Sequence, residues 1–483
     1  MITEVRPAAA ATVVFLAAAA VLVMEILTAR LMAPYLGVSL ETYTGIIGTV
    51  LAGISAGSWL GGRAADRFSA RLILGPILIL GGFLTLISPT LVNLFGPQMV
   101  GGGLAAIVVL AAFTVFLPAL VLSAVTPIVV KLQLKDLEAT GTIVGRLSAF
   151  ATTGALVGTF GTGFFLVTWA PTRVIVAGTG IVLMVLGVLV AGWLRRAIDA
   201  TAICALTFVA AGAGAAALAV TGPCTTESAY FCIRVIDDPP GSSGRLLMLD
   251  DVKHSYVDLQ DPRQLRFSYA TVTIAAIDAI TPGVRAISVL QIGGGGFTMP
   301  RYLEAARPGS KIDVLELDQA VLDTARRDLG LRSGSSVRVE VGDARLLVRT
   351  KLPKTYDFIL GDAFGSRSVP WHLTTREFLT TVRRLLRPGG AYVMNLIDGR
   401  ELGFLKAEVA TMLDVFGSVT LLPVPNNFVL VGSDDPLDGR FVAQLAARQG
   451  IRLVPKSGTE LRRFAAGVRP LRDDFAPVDQ LLR

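Results

Sequence analysis

The chain has 483 residues, of which 52% are hydrophobic and 17% are charged, and its mean hydropathy is +0.62. This composition is too apolar for an ordinary soluble protein, so part of the chain is expected to face lipid. The net charge of +7 is modest and gives no indication of nucleic-acid binding. The two histidines and the absence of a Cys-x-x-Cys pair argue against a zinc site or a Cys-His nucleophile, and no metal is predicted.

The apolar excess lies before about residue 222, a region with only eleven of the 44 Lys and Arg residues. We interpret residues 1–222 as an α-helical multi-span membrane domain, because their apolar stretches are long enough to cross a hydrocarbon core. The first stretch is too long for a signal peptide and should stay in the mature protein. Seven spans are predicted, near residues 8–28, 42–61, 73–93, 103–125, 148–168, 173–194 and 201–221.

Basic residues in the short loops predict the orientation of these spans. Only Arg30 and Arg173 fall on one side, which is therefore expected to be outside. An odd number of spans starting inside places the residues after 222 outside as well. The opposite, cytoplasmic side holds nine basic residues, namely Arg6, Arg63, Arg67, Arg71, Lys131, Lys135, Arg146, Arg195 and Arg196.

Three features of the apolar half suggest specific contacts. Gly53, Gly57 and Gly61 are spaced four residues apart and form a flat stripe on which another helix can pack. Glu25 is the only acid deep in a span, and it is either a proton or cation site or the partner of Arg30 in a structural ion pair. Cys224 and Cys232 either form a disulfide in an oxidising compartment or are two buried thiols.

The second half of the sequence alternates strand and helix patterns. Residues 319–329 and 374–387 read as helices, and residues 237–244 read as a turn between strands. This alternation predicts an α/β doubly wound, Rossmann-like domain over residues 286–483, preceded by a small β-rich part over residues 223–285. The predicted strands are residues 286–292, 311–317, 337–342, 356–362 and 391–397.

Ligands of such sheets bind beyond the carboxyl ends of the strands, where this sequence has three acids. Glu316 stands about 20 residues after the glycine run, where a carboxylate can accept both hydroxyls of a ribose, whereas Asp318 fits better as a helix cap. Asp343 either accepts from an adenine amino group or caps the next helix. Asp362 ends a buried strand and is a candidate general base or cation holder. Together the acids favour a nucleoside site.

The glycine run Gly293, Gly294, Gly295 and Gly296 narrows the choice of nucleoside. Thr298 replaces the last glycine of a dinucleotide loop, and no Lys-Ser/Thr pair follows, so a dinucleotide or ATP is disfavoured. The glycine turn, the strand-end acid, the "GDA" turn and "LRPGGAYVMN" resemble the S-adenosylmethionine-type methyltransferase fold.

An ordered set of motifs also resembles one family, the polyamine aminopropyltransferases or spermidine synthases, in the bacterial form fused behind a membrane domain. The similarity extends over nearly the whole chain, because "RLMAPYLGVSLETYTGIIGTVLAGISAGSWLGGRAADR" is similar to that membrane domain. In the second half it is carried by "ESAYFCIRVIDD", "LDDVKHSYVDL", "IGGGGF", "LELD", "VGDA", "ILGDAFG" and "DDFAPVDQLL".

The resemblance implies a role for each matching position. Glu316 would hold the ribose, Asp343 with Ala344 the adenine, and Asp362 would take a proton from the attacking amine. Tyr230, His254 and Tyr269 would lie around the amine substrate.

The positions expected to bind a diamine depart from the family pattern. Gly296 and Gly365 stand where the family has aspartates, and His254 replaces a glutamine. Phe231 and Ala270 replace a glutamine and a histidine. A buried ammonium without a carboxylate is costly, so a diamine would need other acids such as Asp250, Asp251 or Asp398.

The function implied is transfer of an aminopropyl group from decarboxylated S-adenosylmethionine, a co-substrate, to an amine acceptor. The alternatives are an S-adenosylmethionine-dependent methyltransferase and a catalytically silent nucleoside-binding sensor or transport-related protein. The predicted partners are a small amine and the lipid bilayer of the cell membrane, and a homo-oligomer is left open. Against an external location, both nucleosides are made in the cytosol.

Overall fold

The computed structural model describes residues 6–134, 137–195, 212, 222–332, 334–365 and 369–482. Contacts divide the chain into two compact units, Met1–Cys232 and Ile233–Arg483. We call Met1–Cys232 the helical unit and Ile233–Arg483 the α/β unit.

Six helices among the described residues of the helical unit are long and apolar enough to cross a membrane. They match the first six predicted spans, whereas the seventh, residues 201–221, lies outside the described residues except for Gly212. Two of the six are interrupted by π-helices at Ala112–Phe116 and Thr162–Leu166. The helices are α1 (Pro7–Leu36), α2 (Leu40–Arg67), α3 (Ala70–Met99), α4 (Gly103–Ala111), α5 (Leu117–Ser123), α6 (Val125–Gln133), α7 (Thr140–Gly161), α8 (Val167–Trp169) and α9 (Thr172–Arg195).

Glycine allows these helices to approach one another closely. A Cβ on Gly57 would collide with the backbone of Leu120 in α5, and one on Gly61 with Ala124. The predicted packing stripe is therefore confirmed. Gly154 and Gly158 of α7 lie in the same way against the backbone of Phe15 and Ala19 in α1. Small residues replace part of the side-chain layer that separates most packed helices.

A short segment after residue 222 is fastened to the end of this bundle where α1 ends and α9 begins. Arg30 donates to Glu227 at 3.3 Å and to the hydroxyl of Thr172 at 3.1 Å. The guanidinium of Arg173 packs against Gly222. The sequence left open an ion pair between Arg30 and Glu25. In the structure Arg30 instead forms an ion pair with Glu227.

The two cysteines of this segment are joined. Cys224 and Cys232 form a disulfide with their Cα atoms 5.1 Å apart. Of the two alternatives that the sequence allowed, the structure therefore has the disulfide.

Two sheets are present among the described residues that follow Gly222. The small antiparallel sheet has the order β1-β2-β3-β4, and the predicted turn at residues 237–244 joins β2 to β3. The strands of the small sheet are β1 (Thr226–Glu227), β2 (Cys232–Asp237), β3 (Gly244–Leu249) and β4 (Val252–Asp258). The strands of the large sheet are β5 (Ser288–Ile292), β6 (Lys311–Glu316), β7 (Val337–Val341), β8 (Tyr356–Gly361), β9 (Leu386–Leu396), β10 (Ser418–Val424), β11 (Asn427–Ser433) and β12 (Lys456–Ser457).

The large sheet has the order β12-β10-β11-β9-β8-β5-β6-β7. Five adjacent strands of this sheet run parallel to one another, as the alternating pattern predicts. They are β9, β8, β5, β6 and β7. The sheet is not wholly parallel, however, because β11, β10 and β12 add antiparallel strands beyond β9. In the sheet, β5 lies between β6 and β8. The chain adds β6 and β7 on one side of β5 and then returns to add β8 on its other side. The carboxyl end of β5 is therefore the topological switch point at which such sheets bind ligands.

The helices of this unit begin at side-chain caps. Asp318 accepts from the amide of Ala320 and starts α12, as predicted, while Thr375 starts α14. The helices are α10 (Ser268–Ile280), α11 (Thr298–Ala306), α12 (Gln319–Asp328), α13 (Ala344–Leu347), α14 (Arg376–Leu385), α15 (Gly403–Val415), α16 (Gly439–Arg448), α17 (Gly458–Phe464) and α18 (Val478–Leu481).

Candidate active site

The glycine run forms a tight turn between β5 and α11. Gly293 and Gly295 have φ angles of 90° and 49°, in the left-handed region that favours glycine. A Cβ on Gly293 would collide with the backbone of Asp362, which follows the neighbouring strand β8. The amide of Asp362 donates to Ile292 at 2.9 Å. Glycine at position 293 thus lets the loop and Asp362 lie side by side.

Glu316 holds this loop in place from the end of β6. Its Oε2 accepts from the amides of Gly294 at 2.8 Å and Gly295 at 3.1 Å, and its Oε1 accepts from Asp318 at 2.9 Å. The side chain is 6% exposed, and burial raises its pKa while these amides oppose the rise. Each carboxylate oxygen has two lone pairs. One acceptor position on Oε1 therefore remains open among the described residues while the loop keeps this shape.

Asp343 lies at the end of the next strand and starts α13. Its Oδ1 accepts from the amide of Arg345 at 2.7 Å, and the ring of His372 is 3.6 Å away. The capping role considered from the sequence is therefore present. Its Oδ2 accepts no hydrogen bond from the described residues. Ala344, beside it, is buried.

Asp362 lies in the middle of a hydrogen-bonded row. Its Oδ2 accepts from the hydroxyl of Tyr269 at 3.1 Å, and its Oδ1 accepts from the side-chain amide of Asn395 at 2.9 Å. Asn395 in turn accepts from Asn427 at 2.8 Å. Burial raises the pKa of Asp362 to about 6, although the bonds from Asn395 and Tyr269 lower it. The structure thus brings two predicted site residues, Tyr269 and Asp362, into direct contact.

Tyr269 remains a hydrogen-bond donor in this arrangement. Burial and the neighbouring Asp362 carboxylate raise the pKa of its phenol well above the usual value. The phenol therefore stays protonated over the whole physiological range and can orient the carboxylate.

The small sheet closes one side of the glycine loop. The amide of Gly296 donates to the hydroxyl of Ser255 in β4 at 2.9 Å. A Cβ on Gly296 would lie 2.7 Å from the Cβ of Ser255, closer than two such carbons approach. The space that an aspartate side chain would need at position 296 is thus occupied by β4.

His254 precedes Ser255 and contributes a neutral ring to the same wall. Burial lowers its pKa to about 4, so the imidazole is uncharged at neutral pH. The ring packs edge-on against Phe364 with 6.2 Å between centroids. Its Nε2 is buried and has no hydrogen-bond partner among the described residues.

Two further predicted positions have contacts of their own. Tyr230 belongs to the helical unit, where its exposed ring lies beside that of Phe231, and its substrate role stays a prediction. Asp398 uses both carboxylate oxygens on the amides of Gly399 and Leu405 and so holds the start of α15. Among the described residues, no cluster of three or more His, Cys, Asp or Glu suited to a metal ion is found.

Sequence reasoning missed Asn395 and Ser255. Asn395 is the polar residue near the carboxyl end of a predicted strand, so the rule that selected the three acids would have found it if amides had been included. Ser255 shows no such signal, because its importance comes from a contact with a residue 41 positions away.

One part of the chain is similar to a known family of proteins. Residues 275–416 match the spermine/spermidine synthase domain. The match confirms the resemblance predicted from the motifs. The part outside residues 275–416, including the six long helices, is not covered by it.

Individual relatives fall into two groups. A polyamine aminopropyltransferase of Vibrio vulnificus is 35% identical over 172 residues, covering 35% of this chain and 56% of its own length. An eEF1A lysine and N-terminal methyltransferase of Danio rerio is 28% identical over 159 residues, covering 31% of this chain and 23% of its own. The chain therefore spans about half, or less, of the length of these two relatives.

Among solved structures, a probable spermidine synthase from Corynebacterium glutamicum is 28% identical, with a TM-score of 0.48. The alignment covers 52% of this chain and 95% of that one.

The contact between Gly296 and Ser255 predicts that restoring an acid is destabilising. Gly296→Asp should lower the free energy of unfolding by about 1–3 kcal/mol, as overpacking of a buried site does. Adding Ser255→Gly, which removes the opposing Cβ, should recover most of this loss. Thermal and denaturant unfolding of Gly296→Asp, of Ser255→Gly and of the double variant, each compared with the wild type, gives a double-mutant cycle for the two positions. Equal losses in Gly296→Asp with and without Ser255→Gly would contradict the proposed clash.

Proposed function

We propose that the α/β unit transfers an aminopropyl group from decarboxylated S-adenosylmethionine to an amine. The observation that carries the proposal is Asp362, a carboxylate with a pKa of about 6 beside the glycine loop. A base with a pKa just below neutral is charged at pH 7 and can accept a proton from an ammonium or from an attacking amine. The domain match at residues 275–416 supports the same reaction.

In this mechanism the nucleoside lies across the carboxyl ends of β5, β6 and β7. Glu316 accepts a ribose hydroxyl at its remaining position, and Asp343 accepts from the adenine amino group through Oδ2. The closely approaching backbone of Gly293–Gly296 leaves room for the sulfonium. This arrangement needs no phosphate-binding group. The loop accordingly lacks the lysine that contacts the phosphates in loops that bind nucleoside triphosphates.

The chemical step is a displacement at carbon. The amine nitrogen donates its electron pair to the aminopropyl carbon next to the sulfonium, and the carbon–sulfur bond breaks with its electron pair going to sulfur. Asp362 takes the proton that the nitrogen loses, and methylthioadenosine leaves. Tyr269 and Asn395 orient the carboxylate so that one lone pair faces the nitrogen, and the fold contributes mainly by positioning the reactants.

Methyl transfer from S-adenosylmethionine is the second candidate, and one specific observation favours it. The wall formed by Ser255 and His254 is uncharged and fills the space of an acid at position 296. Such a wall does not neutralise an aminopropyl ammonium. Some relatives of the same region are named as methyltransferases.

One assay separates these candidates from a catalytically silent nucleoside-binding protein. Purified full-length protein is incubated with each nucleoside and a panel of mono- and diamines, and the products are identified by mass spectrometry. Aminopropylated amine and methylthioadenosine are expected. Methylated product alone would select the second candidate. No product with any pair, together with nucleoside binding by calorimetry, would select the silent protein.

Two variants test the residue roles in the same assay. Asp362→Asn should lower kcat by about 100-fold or more while retaining nucleoside binding, because a positioned base contributes at least this much. Glu316→Gln should instead weaken nucleoside binding. A normal kcat in Asp362→Asn would remove this residue from the mechanism.

The pKa of Asp362 predicts the acid limb of the pH profile. The reaction requires the carboxylate, so kcat/KM should fall as the pH drops through about 6. Tyr269→Phe removes a hydrogen bond that lowers this pKa, so the midpoint should move to higher pH. Steady-state rates from pH 5 to 9 with an acceptor of fixed protonation state would measure both midpoints. A midpoint that moves down in Tyr269→Phe would contradict the assignment.

We also propose that the six long helices and the predicted seventh span at residues 201–221 cross the cell membrane, so that the α/β unit follows on the extracytoplasmic side. Support comes from Gly222–Cys232, which is fastened to Arg30, Thr172 and Arg173 at the end of the helices opposite to Arg63, Arg67 and Lys131. The disulfide between Cys224 and Cys232 agrees with an oxidising compartment.

Labelling in intact cells tests this side. After mild reduction, a membrane-impermeant maleimide should react with Cys224 and Cys232 without lysis, and Cys224→Ser/Cys232→Ser should lose the signal. A cysteine introduced at exposed Ser69, on the opposite side, serves as the control and should be labelled only after lysis. The reverse pattern would place the α/β unit in the cytoplasm.

A further inference from the structure

The helical unit contains a cavity of about 250 Å³ with one carboxylate in its wall, that of Glu25. The other described residues that line it include Ile26 and Arg30 of α1, Tyr43 of α2, and Gly163 and Val167 near the second π-helix. Glu25 is partly exposed, and this exposure is toward a space where a small molecule fits.

The carboxylate of Glu25 is unpaired within the described part of the chain. No described residue forms a hydrogen bond or ion pair with its carboxylate. Arg30, five residues later, directs its guanidinium to Thr172, Glu227 and the carbonyl of Ala229 instead. An unpaired carboxylate inside an apolar span is costly, and such residues usually serve a bound cation or proton.

The backbone that lines the cavity opposite Glu25 includes a departure from regular α-helix. Gly154 and Gly158 of α7 pack closely on α1, but one turn later the π-helix Thr162–Leu166 begins. A Cβ on Gly163 would meet no atom, and the fully buried hydroxyl of Thr162 has no hydrogen-bond partner among the described residues. Single-turn π-helices of this kind occur frequently at functional sites.

The lining selects among cations. A calcium or magnesium ion requires several oxygen ligands, and this cavity has one carboxylate surrounded by aliphatic and aromatic groups. A carboxylate and a tyrosine beside isoleucines suit an ammonium group on an apolar chain. The guanidinium of Arg30 in the same wall disfavours a second positive charge. The chemistry thus fits a monoamine.

We propose that the helical unit binds an aliphatic monoamine in this cavity, with the ammonium on Glu25 and the carbon chain against the isoleucines. The site is distinct from that of Asp362 and does not depend on the reaction proposed there. It would make the helices a binding module for amines in their own right.

The test uses the full-length chain in detergent with the substitution Asp362→Asn, so that the α/β site does not contribute to the signal through its base. Binding of radiolabelled n-butylamine is measured by scintillation proximity. Glu25→Gln should weaken binding by about tenfold or more, since it removes the charge and keeps the shape. Glu41→Gln, an exposed acid of α2, is the matched control and should bind as before.

Gly163→Leu provides an independent variant, because Gly163 lines the cavity and a Cβ at this position would contact no atom, including those of Glu25. It should also weaken binding while the protein elutes as a folded species in size-exclusion chromatography. Unchanged affinity in Glu25→Gln would overturn the proposal. If Glu25→Gln does not fold, unchanged affinity in Gly163→Leu would overturn it. Binding that is present in the wild type and lost with Asp362→Asn alone would place the amine in the α/β unit and overturn it as well.

Discussion

The architecture of the candidate active site depends on one buried carboxylate. Glu316 accepts three backbone amides, two of them from the glycine loop, and so converts a flexible run of glycines into a turn of fixed shape. Removing the carboxylate would leave buried amides unpaired, which costs about 1–3 kcal/mol for each group. The loop in turn determines how closely Asp362 can approach, because both residues follow adjacent strands. A residue expected to contact the ligand therefore first stabilises the loop that would surround it.

The small sheet explains why position 296 departs from the pattern that the family resemblance implies. β4 places Ser255 against the loop amide and His254 against Phe364, so this wall is both closely packed and uncharged. A single substitution at position 296 cannot reverse this, because the opposing strand occupies the space. The nucleoside side, by contrast, consists of strand ends whose spacing is set by the sheet itself. The two sides can thus change independently, which allows one fold to keep a co-substrate while changing its acceptor.

Local patterns in the sequence were sufficient to predict the parallel strands of the large sheet, the glycine stripe and the strand-end acids. Each of these features depends on neighbours a few residues away. Contacts between distant segments were not predictable in this way. Arg30 and Glu227 are 197 residues apart, and nothing near Glu25 indicated that its expected partner would bind elsewhere. The antiparallel strands β10 and β11 were not predicted, because they form a hairpin with no helix between them, and β12 has only two residues. The position of Ser255 opposite Gly296 follows from the packing of one sheet on another and not from either segment.

The two edges of the large sheet limit how copies of the chain can associate. An open edge strand offers unpaired amides and carbonyls to any other strand, and proteins avoid this with short or charged edges. β12 has only two residues, and its Lys456 is paired with Glu460. At the other edge, β7 alternates with the charged Arg338 and Glu340, which pair with Asp313 and Lys351. Strand addition is therefore disfavoured at both ends, so that a homo-oligomer would not form by extending the large sheet from one copy to the next.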